Sequence, residues 1–257
     1  MNNIDNKSLI TLASYAGQII LENGGETYRV EETIKRMLFS YGIINAESFA
    51  TPTVIIVSII DDTGEIISLT KRVSRSTVDL EKITLVNNLS RKLEENPLQL
   101  SLLKKELDLI EEKTPYKTST QLLMAALLTS SFTLLLGGNS RDAILSFIIG
   151  PGLLFIQLLF KKYNLNAIFT NIIGGSYAAL IVLMLTKLSF FNTRNIDLII
   201  VGSVMVLVPG IAFTNAMRDT LMGDYLSGSS RAVEALLTAV GIAVGVGSVF
   251  FFSGLWR

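Results

Sequence analysis

The sequence predicts a cytoplasmic α+β domain followed by an all-α membrane domain of five transmembrane helices. The first observation behind this prediction is composition: 49% hydrophobic residues and a mean hydropathy of +0.49 are high for a soluble chain of 257 residues. The second is distribution, because long apolar runs dominate only after about residue 117. The third is a change from helical to strand-like patterning within the polar part. We therefore predict domains at 1–117 and 118–257.

Two amphipathic helices are predicted at the start of the N-terminal domain. Leu9, Leu12 and Ile19 recur at helical spacing, and the glycine-rich residues 23–25 are typical of a helix end. The second helix is predicted to begin at a motif formed by Gly25, Glu26, Arg29 and Glu31. This motif allows two interpretations. It either places acids favourably at the positive end of the helix, or it has a role at an interface or in admitting a substrate.

Alternating apolar and polar residues between 43 and 72 predict a small antiparallel sheet. Three strand-like stretches occur there, and Asp62, Thr63 and Gly64 predict a tight turn between the last two. Apolar residues at helical spacing then predict one helix from about 80 and another from about 97 to 113. The N-terminal domain is therefore predicted to contain helices that flank a hairpin-rich sheet.

Five apolar runs in the C-terminal domain predict five transmembrane helices, since each is close to the roughly 20 residues that cross a bilayer. They lie at about 120–136, 143–160, 167–186, 198–213 and 232–253. Positive charge favours a cytoplasmic N-terminal domain, with six such residues on the inner side and four on the outer side. The inner residues are Lys113, Lys117, Lys161, Lys162, Arg218 and Arg231, and the outer residues are Arg141, Lys187, Arg194 and Arg257.

Two pairs of glycine and proline interrupt apolar runs and predict helix breaks. Gly150 and Pro151 lie in the second run, and Pro209 and Gly210 lie in the fourth. Proline removes a backbone donor, and glycine tolerates unusual backbone angles. Lipid does not satisfy exposed backbone groups, so we expect each break to be buried in protein or to line a wet cavity. A simple kink is the alternative.

The stretch 208–234 carries a high density of charge between two apolar runs. Charged residues at the mouth of a membrane segment are typical of a functional site. If 211–222 is helical, its polar residues share one face because they recur at steps of three and four. We therefore predict a substrate-binding site, and its residues are Asn215, Arg218, Asp219, Asp224, Arg231 and Glu234. The alternative is a cytosolic connector whose solvated charges contribute little.

The absence of histidine and cysteine narrows the possible functions. Thiolate nucleophiles and imidazole metal ligands are excluded, so we predict no catalytic residue, no metal site and no cofactor. The net charge of zero does not favour a nucleic-acid partner, and no phosphate-binding loop of an ATP-driven pump occurs. A membrane-anchored enzyme is a further alternative, and its catalysis would rest on acids or hydroxyls alone. Glu26 and Glu31 could form a carboxylate pair, but they lie five residues apart and do not face each other well on a helix.

These features favour a subunit of a secondary transporter, and a non-transporting assembly or regulatory subunit is the alternative. Many transporters place their binding site between two pseudo-symmetric halves. Five predicted helices without an internal repeat correspond to one such half. We therefore expect a second small membrane protein to supply the remaining helices.

Four segments of the sequence resemble the threonine/serine exporter (ThrE) family: GGETYRVEET, TPTVIIVS, TKRVSRSTVDL and PGIAFTNAMRDTLMGDYLSGSSRAVEA. They span most of the chain. Full-length members continue into a second membrane domain, so this chain is similar to the larger subunit of the split, two-protein type. The resemblance implies a multi-pass exporter of the inner membrane, driven by an ion gradient, with a small membrane-protein partner. Its implied substrates are small carboxylates of the succinate type or the hydroxy amino acids threonine and serine.

Overall fold

The computed structural model describes residues 5–61, 63–74, 77–114, 116–163, 165–186 and 195–254. The chain divides into two compact units, Met1–Pro115 with Ile211–Ala232 and Tyr116–Gly210 with Val233–Arg257, which we call the first and the second unit. Four residues used in the sequence analysis, Asp62, Lys187, Arg194 and Arg257, lie outside the described residues.

The described residues are mostly helical and contain one small sheet, as predicted. In chain order the elements are α1 Asn6–Glu22, α2 Thr27–Ser40, β1 Ala46–Thr51, β2 Val54–Ile60, β3 Ile66–Arg72, α3 Leu80–Glu95, α4 Leu100–Glu112, α5 Thr118–Leu135, α6 Ser140–Lys162, α7 Ala167–Thr186, α8 Ile196–Val204, α9 Gly210–Leu221 and α10 Tyr225–Ser253. The elements up to α4 belong to the first unit, together with α9 from Ile211 onward and the first turns of α10.

A glycine pair ends α1 and allows α2 to begin almost immediately. Gly24 has a φ of +88°, in the left-handed region that favours glycine. The Gly25 N–H donates to the Ile20 carbonyl at 2.9 Å, and a Cβ at Gly25 would lie 2.3 Å from Ile20 Cγ2. The close approach therefore requires glycine at position 25. The predicted helix end at 23–25 is confirmed.

The sheet of the first unit is antiparallel with the order β1-β2-β3, as the strand-like pattern predicts. Its central strand alternates in burial, with Ile55, Val57 and Ile59 buried and Ile56 and Ile60 exposed. This period of two places one face of β2 in a core shared with the four helices up to α4. The first unit therefore has its own hydrophobic core.

The elements described in the second unit are all helices, and they include helices that are long and apolar enough to cross a bilayer. Within the described residues four helices of the chain meet this condition: Thr118–Leu135, Ser140–Lys162, Ala167–Thr186 and Tyr225–Ser253. They correspond to the first, second, third and fifth predicted runs. The chain is therefore a multi-pass membrane protein by length and composition.

The predicted fourth run, 198–213, does not form one helix, so five spans are not confirmed. Helix α8 has nine residues and ends at Val204, residues 205–209 form a turn, and α9 begins at Gly210. Pro209 precedes the first residue of α9, where its missing N–H breaks no helical hydrogen bond. The predicted break at Pro209 and Gly210 is present, and it divides the apolar run into two short helices.

Helix α6 runs through Gly150 and Pro151 without interruption, in contrast to the predicted break. The glycine has a packing reason instead. A Cβ at Gly150 would lie 2.5 Å from the Thr129 hydroxyl oxygen and 2.6 Å from the Ala125 carbonyl oxygen. Gly150 therefore lets α5 and α6 approach closely, which is a common use of glycine between membrane helices. This part of the prediction is corrected to an uninterrupted helix that contains a proline.

Candidate functional site

Two sequence motifs that lie about 190 residues apart meet inside the first unit. The first comprises Gly24, Gly25, Glu26 and Thr27, where α1 ends and α2 begins. The second comprises Asn215, Arg218, Asp219, Asp224 and Arg231, on α9 and the start of α10. Side chains of the second motif bond to the backbone and side chains of the first. We call these nine residues the charged cluster.

Helices α9 and α10 pack closely because glycines occupy the turn and the contact. Gly223, in the turn, has a φ of +88°. A Cβ at Gly228 would lie 2.2 Å from the Thr220 hydroxyl oxygen and 3.0 Å from the Thr220 nitrogen. Asp224 precedes α10, and its Oδ1 accepts the Ser227 N–H at 3.1 Å, so it caps this helix. This local structure positions both Asp219 on α9 and Arg231 on α10.

The glycine turn after α1 presents two carbonyl groups to the second motif. The Asn215 side-chain amide donates to the Gly24 carbonyl at 2.9 Å. Arg231 donates from Nη2 to the Gly25 carbonyl at 2.7 Å. Both donors and Gly25 are buried, and Gly24 is half-buried, so the Arg231 hydrogen bond satisfies a backbone group shielded from water. The turn is therefore a binding partner of the charged stretch and not only a helix end.

A buried ion pair lies at the centre of the charged cluster. Arg231 Nε is 3.2 Å from Asp219 Oδ2, and the two side chains are only 8% and 1% exposed. The distance is that of an ion pair, but neither of these two atoms forms a hydrogen bond. The attraction is therefore mainly Coulombic, without the directional contribution of a charge-assisted hydrogen bond. A buried pair of this kind depends on both partners, because either charge alone would be left uncompensated.

Thr27 links the two aspartates of the cluster. Its hydroxyl lies 3.2 Å from Asp219 Oδ1 and 3.2 Å from Asp224 Oδ2. A hydroxyl has one proton to donate, so it satisfies one carboxylate at a time or shares the proton between them. The pKa of Asp219 is raised, chiefly by burial and also by the charges of Asp224 and Glu26, while Arg231 and the Thr27 hydroxyl oppose the shift. The site therefore holds an acid sensitive to its neighbours' charges.

Glu26 accepts from two arginines. Arg29 donates from Nε to Glu26 Oε2 at 2.8 Å, and Arg218 donates from Nη1 to Glu26 Oε1. The Glu26 side chain is 13% exposed, whereas that of Arg218 is 49% exposed. Burial alone would raise the pKa of Glu26, but the Arg29 hydrogen bond, a backbone contact and both arginine charges together lower it. Glu26 therefore remains an anion between two cations.

Glu31 has different partners from Glu26. Its Oε1 accepts the Ala50 N–H of β1 at 2.8 Å, and its pKa is raised, first by burial and further by the charge of Asp224. Glu26 and Glu31 are thus each engaged with other groups.

A cavity of about 320 Å³ lies beside Glu26, between the start of α2, α3 and α9. Its walls include the residues Gly24, Glu26, Arg29, Leu80, Ile83, Thr84, Ile211, Thr214, Asn215 and Arg218. Leu80, Ile83 and Ile211 form its apolar part. Arg29 and Arg218 bring two positive charges to its polar part.

The structure brings five of the six predicted site residues together. Glu234 is exposed and belongs to the second unit, so it is not part of the charged cluster. The cluster also contains Gly24 and Thr27, which the sequence analysis did not select. Their signal is the glycine pair followed by a hydroxyl residue at a helix start, but no local pattern reveals a partner that lies 192 residues away. Among the described residues, no group of three or more acids is arranged to hold a metal ion.

Residues 11–253 match the family described as "ThrE: Putative threonine/serine exporter". The chain belongs to this family. Two curated relatives bear the name "Probable succinate transporter subunit YjjP". The one from Escherichia coli is 24% identical over 93% of both chains, and the one from Klebsiella aerogenes is 25% identical over 94% of this chain and 93% of the relative. No solved structure matches the sequence. The family match identifies the chain as a member of an exporter family.

Proposed function

We propose that this chain is one subunit of a secondary exporter in the inner membrane, with small carboxylates of the succinate type or hydroxy amino acids as its substrates. A second, small membrane protein completes the transporter. Support comes from the family, from the word "subunit" in the names of both relatives, and from the span-length helices. The N-terminal domain, 1–117, faces the cytoplasm, and the membrane helices follow within 118–257, where 211–232 packs with the N-terminal elements.

The observation that carries the proposal is that α10 contains both a residue of the charged cluster and a candidate membrane span. Its first turns contribute Arg231 to the charged cluster, and the helix continues to Ser253 as a candidate membrane span. One continuous helix therefore carries both a residue of the charged cluster and a candidate membrane span. Charged groups at the end of a membrane helix are typical of substrate and ion pathways.

The arginines of the cluster are suited to bind a carboxylate, because a guanidinium offers a planar fork of donors. In the described conformation Arg231 interacts with Asp219 and Arg218 with Glu26. A substrate carboxylate takes the place of one of these internal acids. The displaced acid is Asp219 if the substrate takes the Arg231 contact and Glu26 if it takes the Arg218 contact. The displaced acid then binds a proton or the ammonium group of an amino acid. This exchange couples substrate binding to a proton gradient.

The experiment is substrate uptake into inverted membrane vesicles. Vesicles are prepared from cells that contain this chain, its partner subunit, both, or neither, and uptake of labelled succinate, threonine and serine is measured. We expect uptake only when both subunits are present, because one set of helices without a repeat forms half of a site. Robust uptake by this chain alone would contradict the two-subunit proposal. Uptake of none of the three compounds with both subunits present would contradict the exporter proposal.

A further inference from the structure

The cavity beside Glu26 has the dimensions and wall chemistry of a small-molecule site. Its volume of about 320 Å³ lies at the lower end of the roughly 300–1,000 Å³ typical of ligand pockets. One part of the wall is apolar and formed by Leu80, Ile83 and Ile211, and another carries the charged groups. A short carbon chain with charged ends suits such a cavity.

The charges on the wall favour an anion. Arg29 and Arg218 contribute two positive charges and Glu26 contributes one negative charge, which leaves an excess of one positive charge. The cavity also adjoins the beginning of α2, where the helix dipole is positive. Among the contacts of the described residues, Glu26 engages one nitrogen of Arg29 and one of Arg218. Arg29 also donates from Nη2 to the Tyr28 hydroxyl at 3.3 Å. A guanidinium has five N–H donors, so Arg29 and Arg218 each keep further donors for a second acceptor.

Glu26 occupies the position that a ligand carboxylate would take. Its carboxylate lies between two guanidinium groups, and Glu26 makes no side-chain cap of its own helix although it is the N-cap residue. Arg218 is half-exposed, whereas Arg231 is buried against Asp219 and the Gly25 carbonyl. Of the two arginines that the sequence selects on α9 and α10, Arg218 is thus the one accessible from the cavity.

We propose that this cavity is a binding site for a small dicarboxylate. Arg29 and Arg218 bind the dicarboxylate, and Glu26 is an internal competitor that the dicarboxylate displaces. This inference rests on the proposed export of small carboxylates and adds Arg29 and Glu26 to the substrate-binding residues. Every lining residue lies outside the candidate membrane spans. The site therefore receives the substrate before or after its passage through the membrane helices.

Replacing the competitor and replacing a binding arginine should change the affinity for succinate in opposite directions. Glu26→Gln removes the internal anion and keeps the shape of the side chain, so it should tighten succinate binding several-fold. Arg29→Gln and Arg218→Gln each remove a charge-assisted partner, so each should weaken binding about tenfold or more. Arg29→Lys retains the charge without the planar fork and should fall between wild type and Arg29→Gln.

Arg36 provides a matched control on the same helix. Like the cavity arginines it is paired with acids, Glu32 and Glu94, but it does not line this cavity. Arg36→Gln should therefore leave succinate binding unchanged. A general effect of removing a paired arginine from α2 would appear in this variant too.

The experiment is calorimetric titration of the purified full-length chain, in detergent and together with its partner subunit, with succinate, threonine and butyrate. Thermal unfolding of each variant establishes that it is folded. If Arg29→Gln does not fold, Arg29→Lys is titrated in its place. We expect succinate to bind more tightly than butyrate or threonine, and Glu26→Gln to increase that affinity. Tighter binding of threonine, no gain in Glu26→Gln, or equal losses in Arg36→Gln and Arg29→Gln would overturn the proposal.

The same variants separate this inference from the proposed function. If Arg29→Gln exports succinate with wild-type kinetics and binds it normally, the cavity proposal fails and the exporter proposal stands. If the wild-type cavity binds succinate with the expected response to Glu26→Gln but vesicles transport none of the substrates, the exporter proposal fails and the binding site stands.

Discussion

Replacing Arg231 by glutamine tests the energetic role of the buried ion pair. The substitution leaves Asp219, whose side chain is only 1% exposed, without its counter-charge, and it removes the hydrogen bond to the Gly25 carbonyl. Breaking one side of a buried ion pair lowers the free energy of unfolding by about 3–5 kcal/mol. At roughly 2–4 °C per kcal/mol for a chain of this size, the unfolding midpoint should fall by about 6–20 °C.

The loss should depend on pH, and its sign follows from the pKa of Asp219. The pKa of Asp219 is raised above its ordinary value of 3.8, which means that folding favours the protonated carboxyl. The stability that this preference contributes is fully present below pH 3.8 and is lost as the pH rises through the folded-state pKa. Without Arg231 the pKa rises further. The deficit of Arg231→Gln should therefore be large at neutral pH and shrink on acidification. Adding Asp219→Asn to this variant removes the buried charge and should recover most of the loss.

Lys35 and Glu47 provide the control, because their charged atoms are also 3.2 Å apart but their side chains are 46% and 87% exposed. Lys35→Gln should change the free energy of unfolding by less than about 1 kcal/mol. The assay is thermal unfolding of the purified protein in detergent at neutral and acidic pH. Equal midpoints for Arg231→Gln and Lys35→Gln, or a deficit that does not change with pH, would refute the reasoning.

Two further predictions concern the glycine turn and the topology. Gly25→Ala should destabilise the protein by about 1–3 kcal/mol, because the new Cβ would lie 2.3 Å from Ile20. Gly247→Ala is the control and should not destabilise it, because the space around Gly247 is open. Thermal unfolding compares the two variants, and equal midpoints would contradict the packing argument. A cysteine introduced at the exposed Ser101 should react with an impermeant reagent only after cell lysis, and one at position 257 should react in intact cells. Labelling of position 101 from outside would reverse the proposed orientation.

Local patterns predicted most elements because each has a clear period. Leu9, Leu12 and Ile19 recur at helical spacing and form one buried face of α1, and the alternation along β2 fixes which residues face the core. The fourth apolar run was predicted less well. Its hydropathy is that of a membrane span, but Pro209 and the preceding turn divide it into two short helices. Hydropathy averages do not register where a helix ends.

The charged residues on α9 and α10 were predictable because their density in an apolar context is unusual. Their partners were not. Thr27 and Asp219 lie 192 positions apart, and no periodic signal connects a glycine turn near the N-terminus with an arginine near the C-terminus. Gly150 illustrates the reverse difficulty, because its proximity to Pro151 indicated a break while its actual role is the close approach of α5 to α6. Contact between distant segments therefore decides which meaning a glycine has.

The most direct test of the central claim, that the charged cluster binds the exported carboxylate, is the substrate concentration at half-maximal export by Arg218→Lys. It is measured with the partner subunit present and at matched membrane abundance, beside Arg36→Lys. Lysine keeps the charge and the insertion signal but loses the planar fork, so we predict a half-saturation concentration raised roughly tenfold for Arg218→Lys and unchanged for Arg36→Lys. A wild-type half-saturation concentration and maximal rate in Arg218→Lys would contradict the claim. It would favour the alternative that 208–234 is a cytosolic connector.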